Sequence, residues 1–143
     1  MNEALKQANI AFKLDEVPVG AVLVDRKTNQ IIAKSYNQNI TLNDSTAHAE
    51  ILVIREANLI KKSQRLDGCD LYITLEPCIM CAAAISFAKI DRIYYGASEP
   101  KFGVISSESK IFNKGSYFKP EFYGGISENE SKKLLKEFFL KRR

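Results

Sequence analysis

Apolar positions recur at helical spacing over residues 2–14, where Ala4, Leu5, Ala8, Ala11 and Phe12 share one side of a helix. The run Val17-Pro18-Val19-Gly20 ends it, because proline disfavours helix in the residue before it. The apolar run Ala21-Val22-Leu23-Val24, the turn signal Lys27-Thr28-Asn29, and Ile31-Ile32 predict a β-hairpin over residues 20–36. Residues 37–44 are polar and read as loop. Ser45 or Thr46 can then cap a helix over about 47–60. Leu71, Tyr72, Ile73 and Thr74 have the composition of a buried strand. Pro77 suits the first position of a helix, which the alanine-rich residues 79–89 continue. A short strand follows over residues 92–96. The stretch 97–120 has weak periodicity, and a connection this long is often functional. Ser127 with Glu130 predicts a capping box ahead of a helix whose apolar stripe is Leu134, Leu135, Phe138 and Phe139. A hairpin followed by helix–strand alternation predicts an α/β sheet with helices on its faces.

Composition narrows the class. The 143 residues suit one domain with one core, and no repeat or linker suggests a boundary within 1–143. No apolar run reaches the roughly 20 residues a membrane span needs. Residues 1–12 lack the apolar core of a signal peptide. The reading is therefore a cytoplasmic protein. The formal charge of +4 is compatible with a phosphate-bearing partner without singling one out. Three cysteines in a reducing compartment point to metal or catalysis before disulfides.

The chemistry concentrates in two segments. His48-Ala49-Glu50, with the only histidine in the chain, opens one predicted helix, and Pro77-Cys78-Ile79-Met80-Cys81 opens another. Two cysteines at this spacing can turn both sulfurs to one metal. The positive ends of both helices favour thiolates. One imidazole and two thiolates leave the fourth tetrahedral position of a zinc ion to water, as in catalytic sites. A water so held has a pKa near about 7. Glu50 projects away from His48 and can stand beside that water as a proton shuttle. A redox pair would use the C-x-x-C alone and leaves His48 and Glu50 unexplained. Cys69 precedes the predicted strand whereas Cys78 follows it, roughly 20 Å along the chain. It reads as an ordinary buried thiol.

H-x-E with P-C-x-x-C is the signature of the zinc nucleobase deaminases. With Val17-Pro18-Val19-Gly20-Ala21, Asn37, Thr46-Ala47-His48-Ala49-Glu50, Thr74-Leu75-Glu76-Pro77-Cys78 and Phe138-Phe139, nearly the whole chain resembles the bacterial tRNA-specific adenosine deaminases. The resemblance implies a three-layer, cytidine-deaminase-like fold with a central five-stranded mixed sheet flanked by helices. It implies a homodimer that converts the wobble adenosine of a tRNA anticodon loop to inosine. It makes His48, Cys78 and Cys81 the ligands of one Zn2+ per chain and Glu50 the shuttle. It also implies substrate contacts at Asn37, Ala49, Glu76, Pro77, Glu99, Phe138 and Phe139. Where the tRNA enzymes usually carry an aspartate, this chain has Glu99 followed by Pro100.

From position alone, Asn37 reads as a turn residue, which the resemblance replaces with a base contact, and Leu134–Phe138 and Leu135–Phe139 spacing favours core packing for at least one phenylalanine. The cluster Lys132, Lys133, Lys136, Lys141, Arg142 and Arg143 suits a solvated face or an RNA-binding edge. The core motif alone also fits a deaminase of free guanine, cytosine or a cytidine nucleotide, or a non-catalytic zinc-binding subunit.

Overall fold

Alternating and helical patterns along the chain become nine elements in the computed structural model, which describes residues 1–105, 112, 115 and 117–143. They are α1 (Asn2–Lys13), β1 (Gly20–Asp25), β2 (Gln30–Tyr36), α2 (Ala49–Lys61), β3 (Cys69–Leu75), α3 (Ile79–Ala88), β4 (Arg92–Ala97), β5 (Glu121–Tyr123) and α4 (Glu128–Lys141). The strands form one mixed sheet in the order β2-β1-β3-β4-β5. β1 pairs antiparallel with β2 and β3, and β4 runs parallel to both β3 and β5. Within the connection 97–120, residues 106–111, 113–114 and 116 lie outside the described residues. No described helix is long and apolar enough to cross a membrane.

Helices cover both faces of the sheet. Leu23, Leu71, Ile73 and Ile93 bury against Val53 and Ala57 of α2 and Ile85 of α3, and this is the main core. The opposite face carries α1 and α4. Ala4, Ala8 and Ala11 are fully buried and let α1 lie close on β1. That contact needs glycine at Gly20, because a Cβ there would stand 2.0 Å from the Ala4 carbonyl oxygen. Phe138 of α4 is 2% exposed and meets Phe12 of α1 edge-on at 6.1 Å, so one phenylalanine packs and Phe139 stays out at 51%.

Three helix starts differ from the sequence reading. The residue preceding α2 is His48, in extended conformation, not Ser45 or Thr46. The Thr46 hydroxyl donates to Asp44, and the first helical amide, Ala49 N–H, donates instead to Asn37 Oδ1 at 2.8 Å. Pro77 lies two residues before the start of α3, and Cys78 takes the cap position. Ser127 precedes α4 in the left-handed region, φ 54°, and makes no side-chain cap. A capping box needs an extended cap residue. Here the chain arrives from a turn whose Gly125 and Ile126 amides donate to Gly96 and Tyr95 at the end of β4, which fixes a different approach.

Candidate metal centre and its pocket

α2 and α3 begin next to each other, just beyond the end of β3. Their first turns bring His48 beside Cys78 and Cys81, 30 and 33 residues further along the chain. His48 Nδ1 lies 3.5 Å from Cys81 Sγ and 3.7 Å from Cys78 Sγ. A tetrahedral zinc, with Zn–N of about 2.05 Å and Zn–S of about 2.3 Å, sets nitrogen and sulfur about 3.6 Å apart. The donor set and its spacing therefore fit zinc. Among the described residues this is the one cluster of three or more such groups arranged for a metal. Cys69 stays in the main core, apart from it.

The proton affinities of the three groups follow from the same geometry. The hydrogen bond from Cys81, and then His48, hold the Cys78 thiol down to about 4 against the opposing effect of burial. The same bond, and burial, push Cys81 well up. His48 is raised by its bond to Cys78, partly offset by burial. A divalent ion displaces such protons when it binds.

Glu50, in the first turn of α2, is 4% exposed. Burial in this low-dielectric setting raises its carboxyl to about 7. Its Oε2 has no hydrogen-bond partner among the described residues. A buried carboxylate oxygen without a partner is costly unless something arrives to meet it. Glu50 borders a cavity of about 750 Å³ that His48 and Cys78 also line. That volume suits a small organic ring or a nucleotide.

Two further buried carboxylates shape the cavity walls. On one side Glu16, 1% exposed, accepts the Ile40 N–H at 3.1 Å and the Thr41 N–H at 2.6 Å. It thereby holds the loop that carries Asn37, Asn39 and Ile40 into the lining. On the other side Glu76, 2% exposed, accepts the Glu99 N–H at 2.9 Å and the Ile105 N–H at 2.7 Å. Sequence reasoning missed Glu16. The only available signal was an acidic residue directly before an apolar Val-Pro-Val run, where burial is implied but no partner is.

The residues singled out from sequence fall into three groups. His48, Glu50, Cys78, Asn37, Glu76 and Glu99 line the cavity, and Cys81 stands behind Cys78. Ala49 and Pro77 are buried behind the wall, the Ala49 N–H donating to Asn37 and the Pro77 carbonyl accepting from Val104. Phe138 and Phe139 sit on α4, outside the lining. Four of the basic residues near them are engaged locally, Lys132 with Glu128 at 2.6 Å and Lys133 with Glu137 at 4.0 Å among them. Lys141 Nζ lies 4.4 Å above the Phe12 ring, while Arg142 lies 4.3 Å above Phe138 and pairs with Asp15.

Residues 1–97 match the family described as the cytidine and deoxycytidylate deaminase zinc-binding region. A tRNA-specific adenosine deaminase of Rickettsia bellii is 51% identical over 144 aligned positions, spanning all of this chain and 99% of its own length. The protein of the same name from Agrobacterium fabrum is 50% identical, over 100% of this chain and 93% of its own. A solved structure from work on A-to-I editing by tRNA:A34 deaminases at the wobble position of transfer RNA superposes with a TM-score of 0.90. It is 51% identical, over 94% of this chain and 97% of that one.

Proposed function

The chain belongs to the cytidine and deoxycytidylate deaminase zinc-binding family, and on that premise we propose that it hydrolyses the wobble adenosine of a tRNA anticodon to inosine. The observation that carries the reading is Glu50. A buried carboxylate with an oxygen unpartnered among the described residues, beside a His-Cys-Cys cluster at a cavity wall, is what a proton shuttle for hydrolysis requires. A purely structural zinc site has no use for it.

His48, Cys78 and Cys81 hold one zinc ion per chain. When bound, the metal supplies a polarised water as nucleophile at near-neutral pH. Glu50 takes the proton of the attacking water and delivers it to ring nitrogen 1 of adenine. The C6–O bond forms in that step; Glu50 then takes the remaining proton from the new C6 hydroxyl and passes it to the exocyclic amine, so that the C6–N bond breaks, C6=O is left and ammonia departs. Asn37 fixes the start of α2 through Oδ1 and offers its Nδ2 donors to a ring nitrogen of the base. Glu76 and Glu99 shape the opposite wall. Ala49 and Pro77 hold the two helix starts, and Phe139 with the α4 cations lies along the path of the bound RNA.

The chain acts as a single domain over 1–143, in the cytoplasm, as a homodimer. Ala82 and Ile85 are fully buried within the chain, so the outward apolar surface of α3 is Ile79 and Phe87, 57% and 72% exposed. That surface supports self-association, and light scattering at micromolar concentration should return twice the chain mass; a monomer would refute it. The substrate reading is tested by offering an anticodon stem-loop with a wobble adenosine beside free adenosine, guanine and cytidine. Inosine should form in the stem-loop far faster than any free compound is turned over. Turnover of a free base with an untouched stem-loop would replace this reading with that of a small-molecule deaminase.

A further inference from the structure

A pocket that admits one base of a strand must also deal with the bases on either side. Drawing the target in removes it from the stack, and its neighbours are left at the lip with exposed faces. What stands at the lip therefore matters, and here it is Phe102.

The loop that carries it is tied down on several sides. Glu76 accepts the Glu99 and Ile105 amides, and the Gly103 N–H donates to the Glu99 carbonyl at 2.9 Å. Gly103 pairs with Cys78 in an isolated antiparallel bridge, and the Val104 N–H donates to the Pro77 carbonyl. A Cβ at Gly103 would stand 2.4 Å from the Glu99 carbonyl oxygen and 2.5 Å from the Glu76 carboxyl carbon, so the loop closes only with glycine there. The loop tip is thus held over the metal helix. It leaves Phe102 70% exposed, although Phe102 lines the cavity together with Lys101. A lone exposed apolar side chain means little by itself. A ring held at the rim of a base-sized pocket, with a cation next to it, is the arrangement that grips unpaired nucleotides by stacking and phosphate contact.

We propose that Phe102 forms a second base subsite, stacking on the nucleobase adjacent to the target in an unpaired RNA strand while Lys101 meets the intervening phosphate. The inference rests on the RNA reading of the substrate and adds a residue that sets how the flanking nucleotide is held.

The test uses the full-length, zinc-loaded protein and an anticodon stem-loop. With 2-aminopurine placed on either side of the target adenosine, binding to the Glu50→Gln protein should quench fluorescence at one flank. The quench should vanish in Glu50→Gln/Phe102→Ala and persist in Glu50→Gln/Phe102→Tyr. With Glu50 intact, Phe102→Ala should raise KM for the stem-loop about tenfold, within the range for losing one base–aromatic stack, with kcat moving far less. An abasic site at the stacked flank should raise the wild-type KM similarly and add almost nothing to Phe102→Ala. An unchanged KM, or an abasic penalty undiminished by Phe102→Ala, overturns the subsite. So does a shift from dimer to monomer mass in Phe102→Ala, which would make the ring a subunit contact. If the wild type neither binds nor deaminates the stem-loop, the RNA reading itself falls and takes this inference with it; an unchanged KM in Phe102→Ala, with the wild type active on the stem-loop, overturns the inference alone.

Discussion

Three buried carboxylates border the cavity, and their surroundings give them different work. Glu50 has an oxygen facing no partner among the described residues, which suits proton transfer. Glu16 and Glu76 instead accept backbone amides from loops 24 and 29 residues away, which suits holding those loops in place. This difference explains what could be read from sequence. Zinc ligation imposes a close spacing on Cys78 and Cys81, and a shuttle must stand beside the histidine ligand, so P-C-x-x-C and His48-Ala49-Glu50 stand out in the sequence. A carboxylate that binds main-chain amides imposes no residue type on its partner, so Glu16 leaves no motif. Replacing Glu16 by Gln turns one acceptor into a donor that faces an N–H, losing a charge-assisted bond of about 1.5–3 kcal/mol. Glu16→Gln should keep its zinc while KM for the stem-loop rises about tenfold. An unchanged KM would show that the loop keeps its place without the carboxylate.

At the scale of elements, helices and strands followed the periodic pattern, whereas their ends did not. Local propensity put the α2 cap at Ser45 or Thr46, but the cap position falls to His48, whose ring faces the cluster. Asn37 supplies the cap from twelve residues upstream instead. The same side chain thus supports the metal helix and lines the cavity. Asn37→Ala should destabilise the fold by about 1 kcal/mol and release zinc at lower chelator concentration, while Asn37→Asp, which keeps an acceptor, should retain both. Equal zinc retention in Asn37→Ala would leave Asn37 with a substrate role only. β5 escaped the periodic reading because three residues carry too little alternation to register; the fifth strand was expected from resemblance alone. On α4, two adjacent phenylalanines looked alike in sequence, and only packing separates them. Phe138→Ala should cost about 3–5 kcal/mol in chemical denaturation, against less than about 1 kcal/mol for Phe139→Ala. Equal losses would contradict the α1–α4 packing described.

The molecule as a whole places its chemistry where one end of β3 meets the starts of two helices, with a carboxylate-tied loop on each side of the opening. The four strands legible from sequence already put His48 and Cys78 after different elements. Only the order β2-β1-β3-β4-β5 brings those ends together, and strand order is a long-range property that periodicity does not encode. The account's central claim is that this assembly deaminates a wobble adenosine through Glu50. It is tested most directly by digesting the anticodon stem-loop after incubation and quantifying inosine at the target position by mass spectrometry. Wild type and Glu50→Gln should be compared at equal measured zinc content. The wild type should convert the target completely, and Glu50→Gln, equally folded and zinc-loaded, should be slower by roughly 10²-fold or more. Inosine formation by Glu50→Gln at the wild-type rate would contradict the account.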